Sequence, residues 1–333
     1  MQYQASVLLT RGTPVIALPE KYSEVIREAL YMTMPDGTMD IMLMKTPSTL
    51  RRLERIVGKL YEMARHEAFH VGRERVRVTV LLDGRDIDTA RNQAWEVVFA
   101  GVHEMELTND LRKLVPPENP YISGLPVMLI KMSDEFLDVV ESTGSSGAQT
   151  PVPEDEAEED ISKYGHNVVA LGGTFDHLHD GHKILLTIAG YLSWEKVVVG
   201  ITGPELLKNK RYAEAMQSYE KRKEIVEGFL NYVFPLLQVH CEMINDVYGP
   251  TAYMAEIEAL VLSRETRSGG PTINKLRQEK GFSELKIYEI DLVGCKEGNE
   301  ANNWCDKLSS TELRRQELEQ LRNEQQPLAP SEI

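Results

Sequence analysis

Between residues 166 and 293 the chain repeats one pattern: a short, nearly continuous apolar run, then a longer polar stretch with helical spacing. The runs are "NVVAL" (167–171), "KVVVGIT" (196–202), "LQVHCEMI" (237–244), "ALVLS" (259–263) and "LKIYEIDLV" (285–293). Continuous rather than alternating apolar residues mark strands buried on both faces. Helices are predicted to begin near Gly181, Ala213, Thr251, Pro271 and Ser309. Strands alternating with helices give a doubly wound parallel sheet, an α/β domain of Rossmann-like type. In such sheets ligands bind at the C-terminal strand ends, where the strand order reverses.

The first half is less regular. "STLRRLERIVGKLYEMARHEAF" (48–69) predicts an amphipathic helix capped by Ser48 or Thr49, and "RVRVTVLL" (75–82) alternates like a strand. "DTARNQAWEVVFA" (88–100) reads as helical and "LPVMLIKM" (125–132) as a strand. Residues 1–140 are therefore expected to form a smaller α/β domain of unknown role. No internal repeat is evident. "ESTGSSGAQTPVPEDEAEED" (141–160) is Gly/Ser/Pro-rich and then acidic. It is too poor in apolar residues to offset its ordering entropy and reads as a flexible acidic linker, leaving 161–325 as the second domain.

Composition narrows the classes. The chain has 333 residues, 42% of them hydrophobic, and a formal net charge of −15. That charge argues against a general nucleic-acid binder. It is uneven, because "EDEAEED" (154–160) alone holds six acids while residues 161–333 carry 20 basic against 25 acidic side chains. A small anionic substrate can meet local basic groups there. No window is long and apolar enough for a membrane helix, and the first residues do not make a signal peptide. Cys241, Cys295 and Cys305 form no CxxC pair and fit free thiols in a reducing compartment, so the cytoplasm is expected.

The chemistry concentrates in "ALGGTFDHLHDGHK" (170–183), which leaves the first strand of the second half and enters its first helix. Gly172 and Gly173 let backbone N–H groups approach a phosphate, and Thr174 adds a hydroxyl donor. A helix starting at Asp180 or Gly181 turns its positive end toward the same place. His179 and His182, three apart, would lie side by side over one ligand and could gain charge near neutral pH. Zinc is disfavoured there, because no cysteine lies nearby. "HEAFH" (66–70) matches the HExxH zinc-protease pattern, but it ends its helix and has no third ligand at a supporting spacing, so it reads as a chance match.

"GGTFDHLHDGH" resembles the HxGH signature of the nucleotidylyltransferase superfamily. The resemblance is closest to the eukaryotic, fungal-type monofunctional phosphopantetheine adenylyltransferases. It continues in order through "DVYGP" (246–250), "LVLSRETRSGGPTINKLR" (260–277) and "KLSSTELRR" (307–315), and covers about residues 163–323. It implies transfer of AMP from ATP to 4′-phosphopantetheine, giving dephospho-coenzyme A and pyrophosphate, with Mg²⁺ screening the ATP phosphates. By the same resemblance His179 and His182 meet the ATP phosphates, His182 stabilises the transition state and Thr174 orients the attacking phosphate. The family's catalytic lysine falls on Lys210 or, alternatively, Lys208. Gly269 and Gly270 would let the backbone approach the nucleotide. Arg277 is either a phosphate ligand or a surface residue, and Arg264 stands where an acid is common in the family. Ser309, Ser310 and Thr311 open the last helix. They cap it, hold the β- and γ-phosphates with Arg314 nearby, or do both.

Two other functions stay open at this stage: a cytidylyltransferase acting on an alcohol phosphate, and a weakly active scaffold in an assembly that makes coenzyme A. "KLSSTELRR" in place of "RTEGIST" favours adenylyl transfer, and the intact histidines and lysines argue against lost activity. No GxxxxGK[ST] pattern occurs, so the dephospho-coenzyme A kinase fused to this transferase domain in animals is not expected. The expected partners are ATP, 4′-phosphopantetheine and other coenzyme A pathway enzymes, without nucleic acid or membrane.

Overall fold

In this computed structural model, residues 1–17, 19–82, 94–114, 124–131, 165–208, 210–264, 266–291 and 309–324 are described. They form two units. One comprises Met1–Tyr164 with Tyr232–Leu236, the other Gly165–Asn231 with Leu237–Ile333. The acidic segment read as a linker, Cys295 and Cys305 lie outside the described residues.

In the second unit the five apolar runs all become strands: β6 (His166–Gly173), β7 (Ser193–Thr202), β8 (Gln238–Ile244), β9 (Ala259–Ser263) and β10 (Lys286–Ile290). They form one parallel sheet in the order β10-β9-β6-β7-β8. Helix α5 (Asp180–Leu192) follows β6, α6 (Tyr219–Val233) follows β7, and α7 (Gly269–Glu279) follows β9. The last described element is α8 (Ser310–Glu324). Val168, Ala170, Val198, Leu260, Ile273 and Leu285 join in one buried cluster. From α5, Leu186, Ile188, Ala189 and Leu192 are fully buried. The chain leaves β6 toward β7 on one side and returns from β8 to β9 on the other. The switch point therefore lies between β6 and β9, with α5 and α7 starting at its edge.

Two expected helix starts are only short 3₁₀ turns, Ala213–Ala215 and Gly249–Ala252. The long helix begins later, at Tyr219, where Ser218 Oγ accepts the Lys221 amide at 3.1 Å and caps it. Gly249 has φ +47° and precedes Pro250, a pair that turns the chain rather than continuing a helix.

The first unit holds β1 (Tyr3–Thr10), β2 (Thr33–Leu43), β3 (Arg77–Leu82), β4 (Val97–Gly101) and β5 (Val127–Ile130). They too form one parallel sheet, in the order β3-β2-β1-β4-β5. Helices α1 (Thr13–Ala17), α2 (Pro19–Tyr31), α3 (Leu50–His70) and α4 (Glu106–Leu114) accompany it. Counted along the chain, both units have the strand order 3-2-1-4-5. The reading of 88–100 as a helix is corrected for its end, because Val97–Gly101 is a strand paired with β1 and buried at every position. Val97, Val98 and Phe99 suit a strand covered on both faces better than a helix.

Candidate active site

The chain leaves β6 through a strained loop. Phe175 (φ 51°) and His177 (φ 47°) are both left-handed without being glycine, a backbone state that persists only where surroundings impose it. Here they do. Arg222 Nη1 donates to Thr174 O at 2.8 Å, and the His177 amide donates to Gln217 Oε1 at 2.9 Å. The Phe175 ring is fully buried and folds back over Gly173, whose Cβ would lie 3.0 Å from Phe175 Cζ. Gly172 has room, with nothing closer than 3.8 Å to an added Cβ. Of the two glycines, Gly173 is thus the one its surroundings demand.

The loop delivers two histidines to the start of α5. His179 is the residue before the helix and His182 lies in its first turn. Their rings stack with centroids 3.9 Å apart and planes 24° from parallel, and Phe175 packs on His182 at 5.3 Å. His182 Nδ1 is buried and has no hydrogen-bond partner among the described residues. Burial, then the neighbouring His179 and Lys210, holds the His182 pKa well below its ordinary value. The imidazole is neutral at pH 7 in this state, so the charge gain expected from the sequence requires an anion to arrive. The third histidine of the stretch, His177, turns away from the pair, with Nδ1 3.1 Å from Asp176 Oδ2 and Nε2 2.6 Å from Glu317 Oε2.

Both lysines follow β7 and are exposed. Lys208 pairs with Glu205, while Lys210 is the one whose charge reaches His182. Beside them opens a hollow of about 510 Å³ lined by Pro204, Leu207, Lys208, Met216, Gln217 and Met243, among others.

At α8, Ser309 Oγ accepts the Glu312 amide at 3.3 Å, an ordinary helix cap. Glu312 pairs with Arg315, which pulls its pKa down to about 2. Ser310 and Thr311 are partly exposed at the helix N-terminus. Arg314 is buried against Asp176, with Nη1 2.6 Å from Oδ2.

Gly269 and Gly270 start α7, after the strand next to β6. Space around Gly269 is open, whereas Gly270 packs on Ile287. Arg277 is neither surface nor offered to a ligand. It is completely buried, and its five donors go to the carbonyls of Ser283, Thr251, Met254, Ala255 and Ile257 at 2.8–3.2 Å. The expected phosphate contact is corrected accordingly: a guanidinium this far inside holds the 251–257 turn together. Asn274 is similarly committed to the backbone of Leu285. Arg222, unremarked in the sequence, is as important locally. It is buried and ties Gln217 O, Thr174 O and Thr202 O together at 2.8–3.1 Å. Its only sequence signal is a cation in the first turn of the helix after the lysines.

Elsewhere, the HEAFH residues close α3. Glu67 is buried and bonded to Arg27 at 2.6 Å, and His66 and His70 bond to each other at 3.2 Å. Among the described residues no group of three or more His, Cys, Asp or Glu side chains could hold a metal ion. Cys241 is buried and free, its thiol pushed up to about 12 by burial. No described helix is long and apolar enough to cross a membrane.

Residues 170–316 match the family described as cytidylyltransferase-like. The phosphopantetheine adenylyltransferase of Saccharomyces cerevisiae is 34% identical over 298 residues, 88% of this chain and 89% of the yeast protein. The phosphopantetheine adenylyltransferase of Pyrococcus abyssi is 38% identical over 147 residues, 44% of this chain and 87% of the archaeal protein. An uncharacterized protein of Schizosaccharomyces pombe is 41% identical over 165 residues, 49% of this chain and 52% of that protein.

Proposed function

This chain belongs to the family of phosphopantetheine adenylyltransferases, and on that premise we propose that it transfers AMP from ATP to 4′-phosphopantetheine, making dephospho-coenzyme A and pyrophosphate. The observation that carries the reading is the stacked His179–His182 pair at a helix start behind a glycine turn, with a buried imidazole nitrogen lacking a partner.

A phosphate oxygen of phosphopantetheine attacks the α-phosphorus of ATP. The new P–O bond forms as the bond to the β-phosphate oxygen breaks, and pyrophosphate leaves with that electron pair. The attacker is already an anion, so the protein needs no strong base. Its work is to align two anions and to stabilise charge on the α-phosphate and the leaving group. Thr174, its backbone pinned by Arg222, would orient the attacking phosphate. A neutral His182 presents an N–H donor to the α-phosphate at no desolvation cost for a charge. As negative charge grows there, the proton affinity of the ring rises and the hydrogen bond strengthens. Lys210 is our choice for the catalytic lysine because its charge acts on His182, whereas Lys208 is paired with Glu205 beside the hollow. That hollow, with Leu207, Met216 and Met243 in its wall, suits the pantetheine arm. Gly269 and Gly270 would face the nucleotide, and Ser309, Ser310 and Thr311 at the N-terminus of α8 would hold the β- and γ-phosphates.

The described residues make no cage for a divalent ion. We therefore expect Mg²⁺ to come with ATP, held by phosphates and water, where it screens phosphate charge. The cytosol is the expected compartment, supported by the cysteine usage. Other coenzyme A pathway enzymes are further expected partners, and the role of residues 1–140 is left open by the proposed chemistry.

The test is to incubate purified protein with ATP or CTP against 4′-phosphopantetheine and phosphocholine and to follow pyrophosphate. Release with ATP and phosphopantetheine alone is expected. Turnover only with CTP and phosphocholine would replace the reading by cytidylyl transfer, and no turnover with any pair would favour a scaffold.

A further inference from the structure

Three segments that the proposed chemistry needs converge on one carboxylate. Asp176 is completely buried. Its Oδ1 accepts the Gln217 amide at 2.9 Å, and its Oδ2 lies 2.6 Å from Arg314 Nη1. Arg314 is 1% exposed, and its other two nitrogens are engaged as well. Nε donates to Arg211 O at 3.0 Å and Nη2 to Thr311 Oγ1 at 3.2 Å. One turn further along α8, Glu317 meets His177. The joined pieces are the histidine loop (174–182), the segment that follows the lysines (211–217), and the first turns of α8 with Ser310 and Thr311. No strand pairing links these pieces to one another.

A buried ion pair is expensive to assemble, and losing one partner strands a charge. Such a pair is a poor device for bulk stability but a good one for fixing the relative position of two elements, because only one arrangement satisfies both groups. From the sequence, an arginine in the first turns of a helix that faces phosphates reads as a phosphate ligand. In the fold that guanidinium points into the protein, with each of its three nitrogens engaged.

We propose that Asp176 and Arg314 are a positioning pair: they lock the N-terminus of α8 to the histidine loop and to the segment after Lys210, so that all three act on one ATP, and Arg314 does not itself bind phosphate. The proposal rests on AMP transfer as the reaction, and one of its readouts does not.

The experiment compares the full chain with Asp176→Asn, Arg314→Gln and the double variant, which removes both charges together. Amide hydrogen exchange by mass spectrometry is read in peptides covering 211–217 and 309–317 against those of β6, β7 and β9. Steady-state kinetics are read for ATP and phosphopantetheine separately. Each single variant should speed exchange in 211–217 and 309–317 by ~10-fold or more, with the sheet unchanged. KM for ATP should rise ~10-fold while kcat stays within ~3-fold, since lost alignment of bound phosphates weakens ground and transition states alike. The double variant should be no worse than the poorer single variant, as expected for two groups acting through one bond. Should a single variant not fold, the double variant carries the exchange measurement. An Arg314→Gln chain with raised KM for ATP but unchanged exchange in 309–317, beside an Asp176→Asn chain with normal KM, would make Arg314 a phosphate ligand and overturn the proposal. If the unaltered chain transfers no AMP, the reaction reading fails, and unchanged exchange in all variants would then also defeat the lock.

Discussion

At the scale of single residues, burial sets the chemistry. His182 is neutral because its ring nitrogen is buried beside another imidazole and a lysine. In that state it can only be a hydrogen-bond donor or acceptor, and it should act most strongly when a phosphate gains charge. Replacing it by alanine is expected to leave the fold intact and to lower the rate of AMP transfer by ~10²-fold or more, the scale of one lost donor to a developing anion. Initial rates of pyrophosphate release together with circular dichroism check this, and near-normal turnover in a folded variant would remove His182 from the chemistry. Glu104 in the first unit shows the opposite sign. It is buried, and although it accepts the Arg11 amide at 2.7 Å and bonds to Tyr22 and Thr10, burial lifts its pKa to about 7. A carboxyl whose folded pKa is raised contributes stability that is full below its unfolded value near 4.5 and is lost as pH climbs through about 7. The loss is about 3 kcal/mol. Glu104→Gln, which cannot ionise, should therefore gain on the unaltered chain between pH 5 and pH 8. Denaturant midpoints of both proteins at the two pH values measure it, and an equal gap at each pH would refute it. The histidines were readable because spacing on a helix places them. The inward turn of Arg277 and Arg314 was not, because the same charged side chain at the same spacing serves a ligand or a buried carbonyl depending on what packs around it.

At the scale of elements, the five apolar runs of the second half were legible because strands buried on both faces need no alternation to announce them. The first half was harder. "YQASVLLT" and "TMPDGTMDIML" mix polar and apolar positions, and both became strands of the first sheet without having been read as such. The Val97–Gly101 run was hidden behind a polar stretch with helical spacing. Gly173→Ala would drive a Cβ to 3.0 Å from the Phe175 ring, which is already on a left-handed backbone and packs on His182. A cost of ~1–3 kcal/mol is expected from overpacking, with a marked fall in activity as the histidine pair shifts. Gly172→Ala meets nothing closer than 3.8 Å and should be tolerated in both respects. Denaturation curves and initial rates of the two variants side by side decide it. Equal effects would mean that the glycines matter for the ligand's approach and not for Phe175.

At the scale of the whole molecule, the two units share one strand order, and the glycine turn with the stacked His179–His182 pair follows the first strand of the second. The likeness was invisible in the sequence because strand order depends on which strands pair, and the two halves share no motif through which to compare them. In the first unit β1 runs into "TRGTP", with Gly12 at φ +77° and no histidine pair behind it. Catalysis should then belong to the second unit. Residues 232–236, which end α6 and follow it, group with the first unit, where the Tyr232 hydroxyl donates to buried Asp40 at 2.6 Å. A fragment of residues 161–333 loses that partner but keeps the whole second sheet, the histidine loop and the Asp176–Arg314 pair. We expect it to fold, with its melting temperature lowered, and to keep ATP-dependent synthesis of dephospho-coenzyme A within ~10-fold of the full chain, since a change of that size corresponds to only about 1.4 kcal/mol in the barrier. Circular dichroism, solution mass and pyrophosphate release on the fragment test this. A Tyr232→Phe change in the full chain isolates the lost hydrogen bond and should cost about 1–2 kcal/mol of stability without touching the rate. A folded fragment that is inactive until residues 1–150 are added in trans would show that the first unit completes the active site.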